Sequence, residues 1–388
     1  MQGVCPSCSE SLPVHSELVQ PLDFLSTVSP HNKPWDVHRL QADDVAEIFA
    51  GGNPLHQRQG QRMRTCAEHL EFGWVIKSTE TGETKLQLKE TRFCRVRTCP
   101  ICQWRRGLMW VARFYRSFPR IYTDHPEMRY LMLTLTVRNC RVLELRKTIR
   151  DMNAAWKRFT ERKGWPAVGF VRSLEITRGN DGSAHPHFHC LLAVPPGYFS
   201  GKNYFSTAKW AELWREALRT DYTPICEVHT VKPKVWKKCR RESPLGVQEV
   251  MMDEVRNAIV SPYHFDENGA PTLGGPAVYD ADFDAIKPTK VEILLSAITE
   301  VIKYTVKPDD MVADPDWLLE LSDQLRNARA VALGGIFRQY LSEYEPENLV
   351  MEDEENQDKN PGGVRFGWRE DPRFAQYKRK KDRLGALP

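Results

Sequence analysis

The sequence predicts an α+β fold centred on an antiparallel sheet with two helices packed on one face. Four segments between residues 130 and 231 alternate apolar and polar side chains, as strands with one buried face do. Two longer segments between them carry apolar residues at three- and four-residue steps, which is typical of amphipathic helices. In chain order they form strand-helix-strand-strand-helix-strand, the ferredoxin-like arrangement, which would leave the second face of the sheet free.

Each element follows from a local pattern. YLMLTLTV indicates the first strand because its leucines and threonines fall on opposite faces. The turn sequence RGNDGS separates the second strand from the third, and ICEVHTV alternates again. The predicted elements are a strand at 130–137, a helix at 142–159, strands at 169–177 and 185–194, a helix around Trp210 capped by Ser206 or Thr207, and a strand at 225–231.

The rest of the chain has weaker patterns. Residues 1–60 contain many Pro, His and Ser with little periodicity, so we expect few fixed elements there. Residues 232–290 resemble an insertion or a long loop. A helix is expected from Lys290 to Lys307, where Pro308 stops it, and another at about 316–343.

Composition narrows the class of protein. The chain has 388 residues, and its ten cysteines are unevenly clustered, which favours metal binding over disulfides. No run of about 18 apolar residues occurs, and the start has no leader-like pattern, so we expect a cytoplasmic protein without a membrane partner. Net charge is only +4, but Lys and Arg outnumber Asp and Glu by 13 to 5 between Arg62 and Arg120. That region is a candidate phosphate-facing surface, although such charges are more often a solvated face.

The sequence HPHFHCLLAV predicts a metal site on the third strand. His187 and His189 share one face of that strand, whereas Phe188 points to the core. His185 shares the histidine face, and a hairpin would bring Glu175 of the neighbouring strand beside it. Two imidazoles and a carboxylate with open positions suit Mn²⁺ or Mg²⁺. The alternative is that the histidines only solvate an open face.

The sequence TEVIKYTVK predicts a nucleophile. On a helix, Glu300, Tyr304 and Lys307 would share the face opposite the apolar one. A phenol is a poor nucleophile until a base, a cation or a metal assists it. Lys307 could lower the pKa of the tyrosine or stabilise the transition state, and Glu300 could be a general base. The alternative is an ordinary amphipathic surface helix.

Four cysteines with the spacing C-x27-C-x4-C-x2-C predict a structural zinc site, because tetrahedral Zn²⁺ suits four thiolates. His69 could replace the first cysteine, or the thiols could be reduced and unliganded. Cys5 and Cys8 form a weaker pair without identifiable partners. The predicted zinc ligands are Cys66, Cys94, Cys99 and Cys102.

Basic and aromatic residues interleaved with these cysteines suit a phosphate backbone and stacked bases. The candidate DNA contacts are Arg92, Arg95, Arg97, Trp104, Arg105 and Arg106.

In this order, YLMLTLT, HPHFHCLLAV and EVIKYTVK resemble the three motifs of HUH endonucleases. The set is most similar to the single-tyrosine replication initiators of rolling-circle plasmids from Gram-positive bacteria. FCRVRTCPICQWRR, SLEIT and VKPK also look like that family, and VKPK adds Lys232 and Lys234 as DNA contacts. The resemblance covers about residues 61–345. It implies the HUH endonuclease fold, with helices on one face of a ferredoxin-like sheet, the active site on the other, and a zinc-binding N-terminal module.

The resemblance also implies a mechanism. Mn²⁺ or Mg²⁺ bound by His187, His189 and Glu175 would polarise the scissile phosphate of origin DNA. Tyr304 would attack, leaving a 5′-phosphotyrosyl enzyme and a free 3′-OH. Glu300 would activate water for the terminating cleavage. The implied partners are single-stranded or hairpin plasmid origin DNA, a host helicase and a DNA polymerase.

Two alternatives remain open. A transposase or mobilisation relaxase would use the same chemistry on another substrate. A non-catalytic zinc DNA-binding regulator would explain the cysteines but not the histidines or Tyr304. The expected units are an N-terminal arm (1–60), a zinc-binding basic module (61–120), an HUH nicking domain (121–310) with an insertion at about 232–290, a C-terminal helix (311–345) and a flexible acidic then basic tail (346–388).

Overall fold

The computed structural model describes residues 24–76, 84–231, 236–243, 246–253, 258–260, 263–265, 271–273, 290–302, 305–341, 349–350, 363–371 and 374–380. Within these ranges the helices are α1 (Leu25–Val28), α2 (Pro34–Ala50), α3 (Pro54–Arg64), α4 (Pro100–Asp124), α5 (Leu145–Thr160), α6 (Thr207–Leu218), α7 (Lys290–Val301), α8 (Pro308–Val312), α9 (Pro315–Gln324) and α10 (Ile336–Leu341). The strands are β1 (His69–Ile76), β2 (Thr84–Thr91), β3 (Arg129–Thr136), β4 (Gly169–Arg178), β5 (Ala184–Val194), β6 (Cys226–Thr230), β7 (Trp236–Ser243), β8 (Gly246–Asp253), β9 (Ala258–Val260), β10 (Tyr263–Phe265), β11 (Pro271–Leu273), β12 (Val331–Gly335), β13 (Gly363–Asp371) and β14 (Phe374–Arg379).

The central sheet has the order β12-β4-β5-β3-β6, and its pairs are antiparallel. Its four strands from β3 to β6, and the helices α5 and α6 between them, match the predicted elements closely. Without β12, the order is the one expected for a ferredoxin-like sheet. The α+β class and the antiparallel sheet are therefore confirmed. Ser206 caps α6, because its hydroxyl accepts a hydrogen bond from the backbone N–H of Lys209 at 3.2 Å.

One face of this sheet packs against α5 and α6. Leu133 and Phe188 lie in the core there, and Trp156 and Trp214 each contact Phe159 and Phe188 in tilted or edge-on geometry. Each fully buried side chain of this size stabilises the fold by roughly 1.5–3 kcal/mol. The aromatic stripe that predicted the two helices is therefore what fixes them to the sheet.

The sequence predicts that the opposite face of the sheet is free, but this face is partly covered by helices. Leu191 and Ala193 of β5 pack there against α4, α7 and α10. The reason is local, because every residue from Leu191 to Val194 is buried and both faces of this end of the strand are apolar. The second face is polar only toward the histidine end of β5.

The N-terminal region also differs from the expectation of few fixed elements. Three helices occupy most of residues 25–64, and residues 1–23 lie outside the described range. The prolines begin helices here, since Pro34 and Pro54 stand at helix N-termini, where no intrahelical N–H is needed. Asn53 caps α3 by accepting from the N–H groups of Leu55 and His56, both at 3.0 Å.

The C-terminal third contains more strands than predicted. The helix expected at about 316–343 is divided into α9, β12 and α10. Where the sequence predicts a flexible tail, β13 and β14 join β1 and β2 in a sheet of order β14-β13-β1-β2, with Phe366 and Tyr377 buried. Alternation in GVRFGW is the local signal for this strand, and the neighbouring acidic segment obscured it.

The predicted insertion contains short strands in its described parts. β7, β8 and β9 form one antiparallel group, and β10 and β11 form another. Among the described residues, no helix is long and apolar enough to cross a membrane.

Candidate active site

The predicted histidine site assembles between β4 and β5. Glu175 lies directly opposite His187 in the register of the two strands. Oε2 of Glu175 is 2.8 Å from Nε2 of His189 and 3.5 Å from Nε2 of His187. One donor atom from each of the three residues lies within 4.8 Å of the others. The period-2 alternation of β5 and the tight β4–β5 hairpin therefore converge three ligand types on one point.

The second nitrogen of each imidazole is also held. Nδ1 of His187 is 3.1 Å from the carbonyl oxygen of His185, and Nδ1 of His189 is 3.3 Å from the hydroxyl of Thr134. A cation at this point requires the proton on Nδ1, so that His187 donates to that carbonyl and Nε2 offers its lone pair to the cation instead of a hydrogen bond to Glu175. This arrangement is the one in which a histidine binds a cation. The imidazole of His185 contacts that of His187, with 5.2 Å between ring centroids, but His185 lies outside the group of three donors.

The carboxylate of Glu175 is ionised despite its position. Burial opposes the charge, but hydrogen bonds with His187 and His189 outweigh burial and hold the pKa of Glu175 well below its ordinary range. Two imidazole nitrogens and one carboxylate oxygen, all half-buried or buried, fit a divalent cation with open coordination positions.

The segment expected to carry the nucleophile contacts β4 near this site, both before and after positions 303 and 304. Tyr304 lies outside the described residues. The carbonyl of Val301 accepts a hydrogen bond from the hydroxyl of Ser173, and the carbonyl of Thr305 accepts one from the N–H of Ile176 at 2.8 Å. Ser173 and Ile176 flank Glu175 on β4. The described residues on either side of positions 303 and 304 are therefore fixed next to the candidate ligands.

The helical spacing predicted for this segment is wrong at its end. α7 stops at Val301 rather than at Lys307, and Val306 pairs with Ile176 as an isolated parallel bridge. The β-branched residues Thr305 and Val306 favour an extended backbone, and the pairing of β12 with β4 ends at Ser173, so this edge of β4 is available at Ile176. Lys307 is thus an exposed residue at the start of α8, not part of the α7 face. Glu300 lies half-buried in the last turn of α7.

Gln103 is a site residue that the sequence did not reveal. Its buried side-chain oxygen accepts hydrogen bonds from the N–H groups of Thr305 at 3.1 Å and Val306 at 3.3 Å. It follows Cys102 in the first turn of α4. A glutamine after CPIC carries no local signal for this role, because its partners are about 200 residues away in the chain.

The four predicted cysteines form one buried cluster. Cys66 follows α3, Cys94 follows β2, and Cys99 and Cys102 are at the start of α4. The sulfur of Cys102 is 3.7 Å from that of Cys66 and 3.6 Å from that of Cys94, and Cys99 and Cys66 are 3.7 Å apart. Tetrahedral Zn²⁺ with bonds of about 2.3 Å places its sulfurs about 3.8 Å apart, so this donor set fits zinc.

The alternative ligand His69 does not join this cluster. It is exposed at the start of β1 and contacts the amine of Lys380 at 3.0 Å. Burial raises the pKa of the Cys99 thiol, so a bound cation is what would favour its thiolate form. Cys5 and Cys8 lie outside the described residues.

The residues predicted to contact DNA differ in how far they are exposed to solvent. Arg105 is buried, donates to the carbonyl of Leu349 at 2.9 and 2.7 Å, and packs over Trp35 and Trp104. It is thus a structural residue, and Trp104 is held edge-on against Trp35 with centroids 4.8 Å apart. The other described candidates are the exposed Arg92 and Arg95 and the half-buried Arg97 and Arg106; Lys232 and Lys234 lie outside the described residues.

Comparison with known proteins gives a consistent result. A family described as replication protein matches residues 85–268 and 279–378. The chain is 29% identical over 350 residues to a "Protein rep" of Bacillus amyloliquefaciens, covering 85% of this chain and 89% of that protein. It is 35% identical over 231 residues to a "Protein rep" of Lactiplantibacillus plantarum, covering 58% and 69%. A "Protein rep" of a Bacillus species is 35% identical over 215 residues, covering 55% and 67%.

No solved structure matches the chain. The family match continues to residue 378, beyond the limit of about 345 that the motifs suggested, and so includes β13 and nearly all of β14. Since this match spans most of the chain, the protein belongs to the replication protein family of plasmid Rep initiators.

Proposed function

We propose that this Rep protein is a metal-dependent endonuclease with an HUH fold that nicks and rejoins single-stranded origin DNA to initiate rolling-circle replication. One observation carries the proposal. Glu175, His187 and His189 converge on the sheet beside two hydrogen bonds, from Ser173 to Val301 and from Ile176 to Thr305, that flank positions 303 and 304. The candidate cation site therefore lies next to the described residues on either side of the proposed nucleophile.

The chain's own residues supply most of the mechanism. His187, His189 and Glu175 would hold Mn²⁺ or Mg²⁺, which when bound supplies Lewis-acid polarisation of the scissile phosphate. Tyr304 directly precedes Thr305 in the chain, and the carbonyl of Thr305 accepts a hydrogen bond from the N–H of Ile176. The phenolic oxygen would form a bond to phosphorus as the bond to the 3′ oxygen breaks, the phenol proton would pass to a base, and the leaving 3′ oxygen would take a proton from water. The products are a 5′-phosphotyrosyl enzyme and a free 3′-OH for a host polymerase.

The zinc cluster has a supporting role in this proposal. Four thiolates would hold a structural Zn²⁺ that joins the segment after α3, the loop after β2 and the start of α4. Gln103 then connects α4 to the segment that follows Tyr304. Arg92, Arg95, Arg97 and Arg106 would contact the DNA backbone, and a host helicase would open the duplex.

The proposal is tested by covalent attachment to DNA. Overlapping single-stranded oligonucleotides that cover the replicon encoding this chain are incubated with the protein and Mn²⁺ or Mg²⁺, then denatured in detergent. We expect one oligonucleotide to give a protein adduct and a shorter product with a free 3′-OH, and EDTA to abolish both. Sequence-specific binding without any adduct in either metal would instead favour a non-catalytic DNA-binding regulator. The family match to replication proteins already argues against a transposase or relaxase.

A further inference from the structure

A cavity of about 240 Å³ lies beside the proposed nucleophile segment. Its lining includes Arg95, Arg97, Gln103, Arg106, Trp110 and Thr305. Three guanidinium groups, one indole ring and the residue that follows Tyr304 therefore border one space. Among the described residues that line it, none is acidic.

Arg97 has unused hydrogen-bonding capacity at this cavity. Its Nε and Nη2 atoms are buried and have no hydrogen-bond partner in the described part of the chain. Arg97 is a guanidinium, which stays protonated in proteins at neutral pH. A buried cation without a counterion is costly, and an anion that accepts from both nitrogens would remove that cost.

The cavity is built on the cysteine cluster. Cys94 and Cys99 bracket the loop that carries Arg95 and Arg97, and the N–H of Val96 is 3.4 Å from the sulfur of Cys94. Arg95 has a left-handed backbone with φ of 58°, and its carbonyl accepts from Nη2 of Arg106 at 3.3 Å. The cluster thus holds the backbone that carries Arg95 and Arg97 in place, which lowers the entropic cost of binding a ligand.

We propose that this cavity binds a backbone phosphate of the single-stranded DNA substrate within a few nucleotides of the nick, with the attached base against Trp110. The inference rests on the proposed function for the position of the nick, because Thr305 links the cavity to Tyr304. Planar guanidinium groups suit phosphate oxygens, and an aromatic ring accepts any base without sequence preference. The zinc module would then align the strand as well as stabilise the fold.

The test is equilibrium binding in EDTA, where no cleavage is expected. The probe is a fluorescein-labelled oligothymidylate of about twelve nucleotides, a length within the usual site size. A second probe has the same length but uncharged methylphosphonate linkages. The proteins are wild type, Arg97→Gln, Arg95→Gln and the control Arg150→Gln, an exposed arginine of α5 on the other side of the sheet. Zinc content and circular dichroism establish that each variant is folded, and exposed Arg95 gives a variant with little effect on packing.

We expect Arg97→Gln and Arg95→Gln to weaken binding of the charged probe by about tenfold or more, as loss of a charge-assisted hydrogen bond does. Arg150→Gln should change it by less than about twofold, and on the methylphosphonate probe all proteins should agree within about twofold. Equal losses in Arg97→Gln and Arg150→Gln would overturn the proposal, as would a deficit of Arg97→Gln that persists on the uncharged probe.

Free thymidine monophosphate distinguishes the two sources of phosphate. Stabilisation by the free nucleotide that depends on Arg97, with unchanged oligonucleotide affinity, would mean a free-nucleotide site and overturn the DNA assignment. Failure of the nicking proposal is separable, because it appears as absence of the covalent adduct in wild-type protein. A normal adduct with binding that ignores Arg97 would overturn the cavity alone.

Discussion

Glu175 shows how one residue sets the electrostatics of the site. Its carboxylate lies 3.5 and 2.8 Å from the Nε2 atoms of His187 and His189, and each imidazole is held at Nδ1 by a backbone carbonyl or a threonine hydroxyl. Such outer contacts fix a ligand in the geometry and tautomer that a cation needs. Glu175 would favour binding of a divalent ion through its negative charge more than through its hydrogen bonds.

Replacing Glu175 by Gln tests this directly. The amide keeps the size of the side chain but lacks the negative charge, so we expect Mn²⁺ affinity to fall by at least about tenfold. Calorimetric titration of Mn²⁺ into zinc-loaded protein measures the change. Glu212→Gln, on the exposed surface of α6, is the matched control and should bind as wild type does. Unchanged Mn²⁺ affinity in Glu175→Gln would remove Glu175 from the ligand set.

Glu300 should act in only one half of the reaction. It lies in the last turn of α7, just before the segment fixed to β4, where its carboxylate could activate a water near the scissile phosphate. Glu300→Ala should keep the initiating nick but lose hydrolytic cleavage by roughly 10²- to 10⁴-fold, the usual contribution of a general base. Separate oligonucleotide substrates for the two cleavages measure this. A parallel loss of both would show that Glu300 assists Tyr304 or the metal instead.

At the residue scale, the sequence predicted what depends on local geometry. His187, His189 and Glu175 were predictable because strand alternation and a short hairpin place them by themselves. The sequence places Lys307 on the same helix as Glu300. The helix instead ends at Val301, because Val306 pairs with Ile176 of β4. Gln103 and the cavity at Arg97 depend on contacts between distant parts of the chain, which no local pattern encodes.

Asp314, the residue that caps α9, contacts both its own helix and the central sheet. The carboxylate of Asp314 accepts from the N–H of Trp317 at 3.0 Å, and it pairs with Arg178 of β4 at 2.7 Å. The hydrogen bond to Trp317 and then the guanidinium of Arg178 lower the pKa of Asp314 below its ordinary value. The cap therefore attaches the start of α9 to the end of the strand that carries Glu175.

Asp314→Ala should reduce the free energy of unfolding by about 1 kcal/mol, the usual value of an N-cap. Since the folded pKa is depressed, this contribution is present above the ordinary carboxyl pKa and is lost as pH falls through the lowered value. Urea unfolding of both proteins at neutral and acidic pH measures it. Asp316→Ala removes an exposed charge from the same turn without removing the cap, and should cost less. A difference that grows on acidification would contradict this account.

The elements that the sequence predicts correctly are those in which apolar residues recur with a regular period. The strands and helices from β3 to β6 were predicted nearly at their observed bounds because their apolar stripes are unbroken. The helix predicted at about 316–343 is wrong in its middle. The apolar residues of VALGG continue the helical pattern, but they form β12 and pair with β4. The N-terminal helices were missed because proline was interpreted as a breaker where it begins a helix.

Across the whole molecule, the cysteine cluster joins parts of the chain that are otherwise distant. Three segments contribute sulfurs, and the helix that begins at this cluster, α4, packs on the second face of the central sheet. A cation there would couple the N-terminal helices to the active site through α4 and Gln103. The sequence anticipated the four ligands from spacing but not this connection.

We therefore expect about one tightly held Zn²⁺ per chain, and Cys102→Ser should lose it and lower stability by several kcal/mol, since metal-binding energy is folding energy at a structural site. Elemental analysis and thermal unfolding measure the two effects. Cys140→Ser, a half-buried cysteine outside the cluster, is the control and should keep the metal. Wild-type protein that is purified without chelator and contains no zinc would refute the assignment.

If Tyr304 attacks DNA at the site formed by Glu175, His187 and His189, the DNA must become attached to this residue, and the point of attachment can be identified. The adduct formed with Mn²⁺ on the cleaved oligonucleotide is digested with protease and nuclease, and the peptide bearing the phosphonucleotide is sequenced by mass spectrometry. We predict attachment at Tyr304, and complete loss of the adduct in Tyr304→Phe with DNA binding retained, because only the nucleophilic oxygen is removed. Attachment at any other residue, or an adduct that persists in Tyr304→Phe, would contradict the account.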